Sequence, residues 1–121
     1  MPGSSAIVVV AHGSRAEAAN QAHIGLCAEL ARRTGLDVRP AFLEIADPSI
    51  PDALATAVTD GHERVVVLPH FLAPGNHTTV DIPALVAAAA SEHPDVGFEL
   101  LPHTGADPRL VDLLADRLGE L

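Results

Sequence analysis

The feature that most constrains this chain is a regular alternation of short apolar runs with helical patterns. Ala6-Ile7-Val8-Val9-Val10-Ala11 is apolar and mostly β-branched without a break. A run of that kind predicts a strand buried on both faces. Val38–Glu44, Arg64–Leu68 and Val96–Leu101 read as three further strands. After the first strand, Ser14 and Glu17 have the spacing of a capping box. Ala19, Ala22, Leu26, Leu30 and Ala31 then form a helical stripe, which Thr34-Gly35 ends. A second helix opens at Asp47-Pro48-Ser49-Ile50-Pro51, where proline suits a first turn. Its inner face is Ala53, Leu54, Ala57 and Val58, and Gly61 closes it. A third helix runs from about Asp81 to Glu92, and a last one from about Asp107 to Leu118.

A helix between every pair of strands predicts a parallel sheet covered on both faces, an α/β fold of three layers. Right-handed crossovers leave few strand orders, and 2-1-3-4 is the one favoured here. Pro40 would remove a ladder donor from a central strand, so strand two belongs at an edge. With 121 residues, the chain reads as one domain over positions 1–121, with no linker and no repeat. Met1-Pro2-Gly3-Ser4-Ser5 carries no basic n-region, so no leader peptide is expected. No apolar run approaches a membrane span. The single Cys27 fits a reducing compartment, and the expected location is the cytoplasm.

Charge narrows the function. The net charge is −9 and every basic residue is Arg. Nucleic-acid phosphates and anionic membranes both require clustered cations, so neither is an expected partner. Seven histidines with many carboxylates and one thiol suit a borderline divalent metal ion.

In an open sheet of this order, ligands bind beyond the carboxyl ends of the strands, where the strand order reverses. His12 follows strand one. The stretch 70–81, a long loop rich in Pro, Gly, Asn and His, follows strand three. Adjacent strands lie about 4.8 Å apart, so His12 and His77 can reach one cleft, with Glu44 on the same rim. Each has a plainer reading: His12 as a helix cap, His77 as turn surface, Glu44 as a solvated strand end. His70 could point into the cleft or away. His23 reads as structural, and His62, His93 and His103 as turn residues. Two imidazoles and one carboxylate are too few for a closed structural metal site, which takes four ligands. They suit an ion in transit.

Three segments carry a resemblance. Val9-Val10-Ala11-His12-Gly13-Ser14-Arg15, then Phe42-Leu43-Glu44 with Pro48-Ser49-Ile50, then Phe71-Leu72 through Gly75-Asn76-His77 to Asp81-Ile82-Pro83 resemble the sirohydrochlorin chelatases. These are the class II tetrapyrrole chelatases. Gly105-Ala106-Asp107-Pro108-Arg109-Leu110 fits the entry to that family's last helix. The resemblance implies a chelatase-like, flavodoxin-like domain and an ATP-independent reaction. In it, Co²⁺, Fe²⁺ or Ni²⁺ enters sirohydrochlorin with release of two pyrrole protons, in cobalamin or siroheme biosynthesis. It implies His12 and His77 as metal ligands and catalytic groups, and Glu44 as a further catalytic group. Ser14, Arg15, Phe71, Leu72 and Gly75 would meet the tetrapyrrole. It implies no prosthetic group, the metal ion being substrate, and a homodimer, because the length matches the family's short form. His70 stands where that family usually has an apolar or aromatic residue, and Asn76 has no role assigned by the pattern. A metal-delivery protein could use the same histidine pair. A histidine phosphatase also has His-Gly after its first strand, but it needs an Arg beside the nucleophile to hold phosphate, and Ala11 stands there.

Overall fold

The computed structural model describes residues 4–121; the reading of Met1-Pro2-Gly3 as leaderless lies outside them. The chain forms β1 (Ser5–Ala11), α1 (Glu17–Thr34), β2 (Asp37–Phe42), α2 (Ile50–Thr59), β3 (Arg64–Pro69), α3 (Ile82–Glu92), β4 (Gly97–Leu100) and α4 (Arg109–Gly119). All pairings are parallel and the sheet order is β2-β1-β3-β4, as expected. Pro40 lies in the edge strand β2, opposite Val9 of β1.

Side chains alternate across the sheet. Ala6, Val8 and Val10 of β1 and Val65 and Val67 of β3 form one core with Ile50, Leu54 and Ala57 of α2 and Ile82 and Val86 of α3. Val9 and Phe42, also buried, belong to the opposite face, where His23 of α1 meets the Phe42 ring edge-on at 5.3 Å. With few aromatics, the core rests on Val, Leu, Ile and Ala, and Phe42 is its largest fully buried side chain.

Helix α1 departs from expectation twice. No capping box forms: the residue before Glu17 is Ala16, which makes no side-chain cap, and Ser14 Oγ accepts from the Ala16 amide at 3.0 Å instead. Asn20 secures the turn, its Oδ1 accepting from Ser14 N at 2.9 Å and its Nδ2 donating to Ser14 O at 2.7 Å. The buried face is Asn20, His23 and Cys27, while Ala19 and Ala22 are exposed. The helix is turned so that His23 reaches the Val9 carbonyl on the sheet and Asn20 reaches the Ser14 backbone in the loop after β1.

The third helix also begins early. A π-helical turn over His77–Asp81 runs directly into α3, so His77 sits in a helical turn rather than a loop, and only residues 70–75 are irregular. Ser49 caps α2, accepting from the Asp52 amide at 3.2 Å. Helix α4 packs chiefly on the short 3-10 turn Thr104–Ala106, and Val111, Leu113, Leu114 and Leu118 stand exposed along it.

Candidate functional site

The ladder between β1 and β2 continues one step past each strand. Leu43 N donates to Ala11 O at 2.9 Å and Glu44 N to His12 O at 3.0 Å. That pairing places Glu44 beside His12, and Glu44 Oε1 lies 3.1 Å from His12 Nε2. Nδ1 of His12 is 3.1 Å from the Gly13 carbonyl. Donation there leaves the Nε2 lone pair facing a carboxylate, an arrangement stable only with a cation, proton or metal, between them.

Two local features hold this corner. Gly13 has φ +96°, and a Cβ on it would fall 1.8 Å from the Glu44 carbonyl oxygen. Past Glu44 the chain reverses through a γ-turn, with Ala46 N donating to Glu44 O at 2.8 Å and Ile45 at φ 71°. A β-branched residue in the left-handed region is strained, a state characteristic of functional sites.

His77 arrives from the other wall. Its ring lies edge-on to His12, with centroids 4.9 Å apart, and near-parallel to Phe71 at 6.4 Å. Its Nδ1 is 3.3 Å from Oδ2 of Asp81. Glu44, His77 and Asp81 line one cleft of about 430 Å³ with Leu43, Ala84 and Leu85. His12, His77 and Glu44 are thus brought together from three separate segments. Among the described residues, no group of three or more His, Cys, Asp or Glu is set as a ready metal cage.

His70 takes the other direction. Its amide extends the β1–β3 ladder to Val10 O at 2.8 Å, and its ring stacks on His23 of α1 with centroids 6.2 Å apart. Thr104 Oγ1 is 2.9 Å from its Nδ1. His23 is buried, with Nε2 2.9 Å from the Val9 carbonyl; burial lowers its basicity against that hydrogen bond. His62 sits far along the sheet, 2.8 Å from Asp37.

The remaining expected contacts are spread around the cleft. Phe71 is half-buried and Leu72 exposed. The carbonyl of Gly75 accepts from Thr79 N at 2.9 Å, so Gly75 starts the π turn that carries His77. Arg15 and Ser14 line a neighbouring cavity of about 530 Å³ with Ile45 and Asp47. Arg15 is exposed and, among the described residues, makes no ion pair, whereas Arg32 and Arg33 pair with Glu29, Arg39 with Asp37 and Asp60, Arg64 with Glu99, and Arg109 with Asp107.

Asp81 and Gly105 were missed from sequence as site residues. The four-residue spacing of His77 and Asp81 could have flagged the first. Gly105 opens the segment that fits the family's last-helix entry, but no role followed from that; its amide donates to Phe71 O at 2.9 Å and its Cβ position would meet Leu72 O at 1.6 Å.

Fold and site together define a class: an open parallel α/β sheet presenting an accessible histidine pair at its switch point. The family model described as CbiX matches residues 6–121, and the chain belongs to that family. It is 39% identical over 113 residues to the chloroplastic sirohydrochlorin ferrochelatase of Arabidopsis thaliana, covering 93% of this chain and 50% of that one. It is 31% identical over 137 residues to the sirohydrochlorin cobaltochelatase of Methanocaldococcus jannaschii, covering 93% and 96%. Among solved structures, the Bacillus subtilis sirohydrochlorin chelatase SirB in complex with cobalt superposes with a TM-score of 0.85 at 28% identity, over 98% of this chain and 51% of that one. A CbiX protein of Marinobacter aquaeolei gives 0.79 at 31% identity, over 96% and 95%. The chain therefore spans about half of the plant and Bacillus relatives and nearly all of the archaeal and Marinobacter ones.

Proposed function

We propose that this chain inserts a divalent metal ion, Co²⁺ or Fe²⁺ and in some settings Ni²⁺, into sirohydrochlorin, with the whole of residues 1–121 as one domain. The observation that carries the reading is the meeting of His12 and His77, 4.9 Å apart by ring centroid, at the open mouth of the sheet. Relatives named as sirohydrochlorin cobaltochelatases and a ferrochelatase support the substrate class.

The residues suggest an order of events. The incoming ion enters between His12 Nε2 and Glu44 Oε1, which lie 3.1 Å apart, and gains the His77 imidazole. Open coordination positions then receive the pyrrole nitrogens. The two nitrogens that carry hydrogen give up their protons as the ion binds all four, and Glu44 and the released imidazoles accept those two protons and pass them to solvent. Phe71 and Leu72 offer apolar wall to the flat macrocycle. Ser14 and Gly75 border it through backbone and hydroxyl groups. Arg15, without an internal partner, meets a substrate carboxylate. No prosthetic group takes part.

The chain works as a homodimer in the reducing cytoplasm. The exposed apolar stripe of α4 supports a second copy, because contiguous apolar surface of that kind marks an interaction site. Among the described residues no helix is long and apolar enough to cross a membrane.

Mixing the protein with sirohydrochlorin and Co²⁺ or Fe²⁺, and following the absorption change of metallation, tests the reading. Acceleration over the spontaneous rate is expected, and its loss in His12→Ala and in His77→Ala. Metal binding with no acceleration would mark a delivery protein instead.

A further inference from the structure

One side chain of the cleft has no part in that scheme. Asp81 lines the cleft with Glu44 and His77, and its Oδ2 is 3.3 Å from His77 Nδ1. Residues four apart on one helical turn face each other, and the π turn carries both. His12 is treated in parallel, with its Nδ1 against the Gly13 carbonyl. Both rings thus have Nδ1 engaged; Nε2 of His12 faces the Glu44 carboxylate across 3.1 Å, and Nε2 of His77 is left for an ion. Phe71 lies against the His77 ring near-parallel and His12 stands edge-on to it, so the ring has neighbours on two sides. Neither neighbour distinguishes its two nitrogens. Only a group that bonds one nitrogen can do so, and Asp81 is that group. Metal-binding histidines commonly donate their other N–H to a carboxylate, which fixes tautomer and orientation.

We propose that Asp81 is a positioning residue for His77: its carboxylate accepts the Nδ1–H, holds the tautomer whose lone pair is on Nε2, and turns that nitrogen to the ion. The inference rests on His77 being a metal ligand.

The test uses the full chain and Co²⁺ alone, titrated without tetrapyrrole and followed by its visible ligand-field bands. Asp81→Ala should weaken Co²⁺ binding about 10–100-fold, with the thermal melting curve unchanged. In the metallation assay it should raise KM for Co²⁺ by a similar factor and leave kcat within about threefold. Asp81→Asn, whose amide oxygen still accepts the N–H, should restore most of the affinity. If Asp81→Ala binds Co²⁺ like the parent while His77→Ala does not, the positioning role is overturned and the ligand assignment stands. If His77→Ala also binds normally, both are overturned. If Asp81→Asn is as weak as Asp81→Ala, the carboxylate acts through its charge and positioning is overturned.

Discussion

At Gly13 the site's geometry depends on a missing atom. With φ +96° and the Glu44 carbonyl 1.8 Å from where a Cβ would stand, Gly13→Ala must push apart the two segments that carry His12 and Glu44. The substitution should destabilise the fold by about 1–3 kcal/mol, read by urea denaturation, and lower metallation even where the protein stays folded. Unchanged stability and activity would mean that the corner is looser than drawn. Cys27 gives a second check at this scale. Burial pushes its thiol up to about 11, so at pH 8 almost none is thiolate, the reactive form. Ellman's reagent should label the native chain slowly and the urea-unfolded chain at once; rapid native labelling would contradict the packing of α1. His12, His77 and Glu44 were legible from sequence because doubly wound sheets bind ligands at the strand ends, and the strand order could be argued. The turning away of His70 was not. It follows from strand alternation only when β3 is known to run through Pro69.

Among the elements, α1 is the one whose sequence pattern misleads. Its apolar stripe suggested Ala19, Ala22 and Leu26 inward, yet the face that packs carries Asn20, His23 and Cys27. Periodicity counts apolar side chains, and here the Val9 carbonyl of the sheet and the Ser14 backbone of the loop after β1 take polar ones. The buried strands announce themselves because a strand covered on both faces has no polar side to show. The π turn at 77–81 carries no start signal before it other than Gly75, and its β-branched Thr78, Thr79 and Val80 read as loop. A titration follows from the inward histidine. Burial holds His23 below the ordinary value near 6.5, opposed by the Val9 hydrogen bond and assisted by His70. The unfolded chain therefore takes up a proton that the fold resists. This contribution to stability is complete above about pH 6.5 and is lost as pH falls below it. His23→Gln, which keeps a donor for Val9, should lose less melting temperature between pH 7.5 and 5.5 than the parent chain. An equal loss in both would show that His23 is not the group responsible.

Over the whole molecule, a net charge of −9 opposes a substrate rich in carboxylates, so local cations matter more than the total. Arg15 is exposed, lines the cavity beside the site and, among the described residues, makes no ion pair, which supports it as the proposed counter-charge. Arg15→Ala should raise KM for sirohydrochlorin about two- to fivefold, the worth of one exposed ion pair, and leave KM for Co²⁺ alone. The outward stripe of α4 is not distinguishable in sequence from a core-facing one, because amphipathicity does not say which chain supplies the partner. Leu114→Arg with Leu118→Arg should convert a dimer to monomer in sedimentation equilibrium; a parent chain already monomeric at micromolar concentration would remove the dimer. All of this depends on one juxtaposition, produced by the order β2-β1-β3-β4: His12 and His77 share an ion. Anomalous scattering from crystals of the protein loaded with Co²⁺ tests it directly. A single peak about 2.1 Å from Nε2 of both histidines, the usual metal–imidazole distance, is the predicted result. A peak on other side chains, with His12 and His77 unengaged, would contradict it.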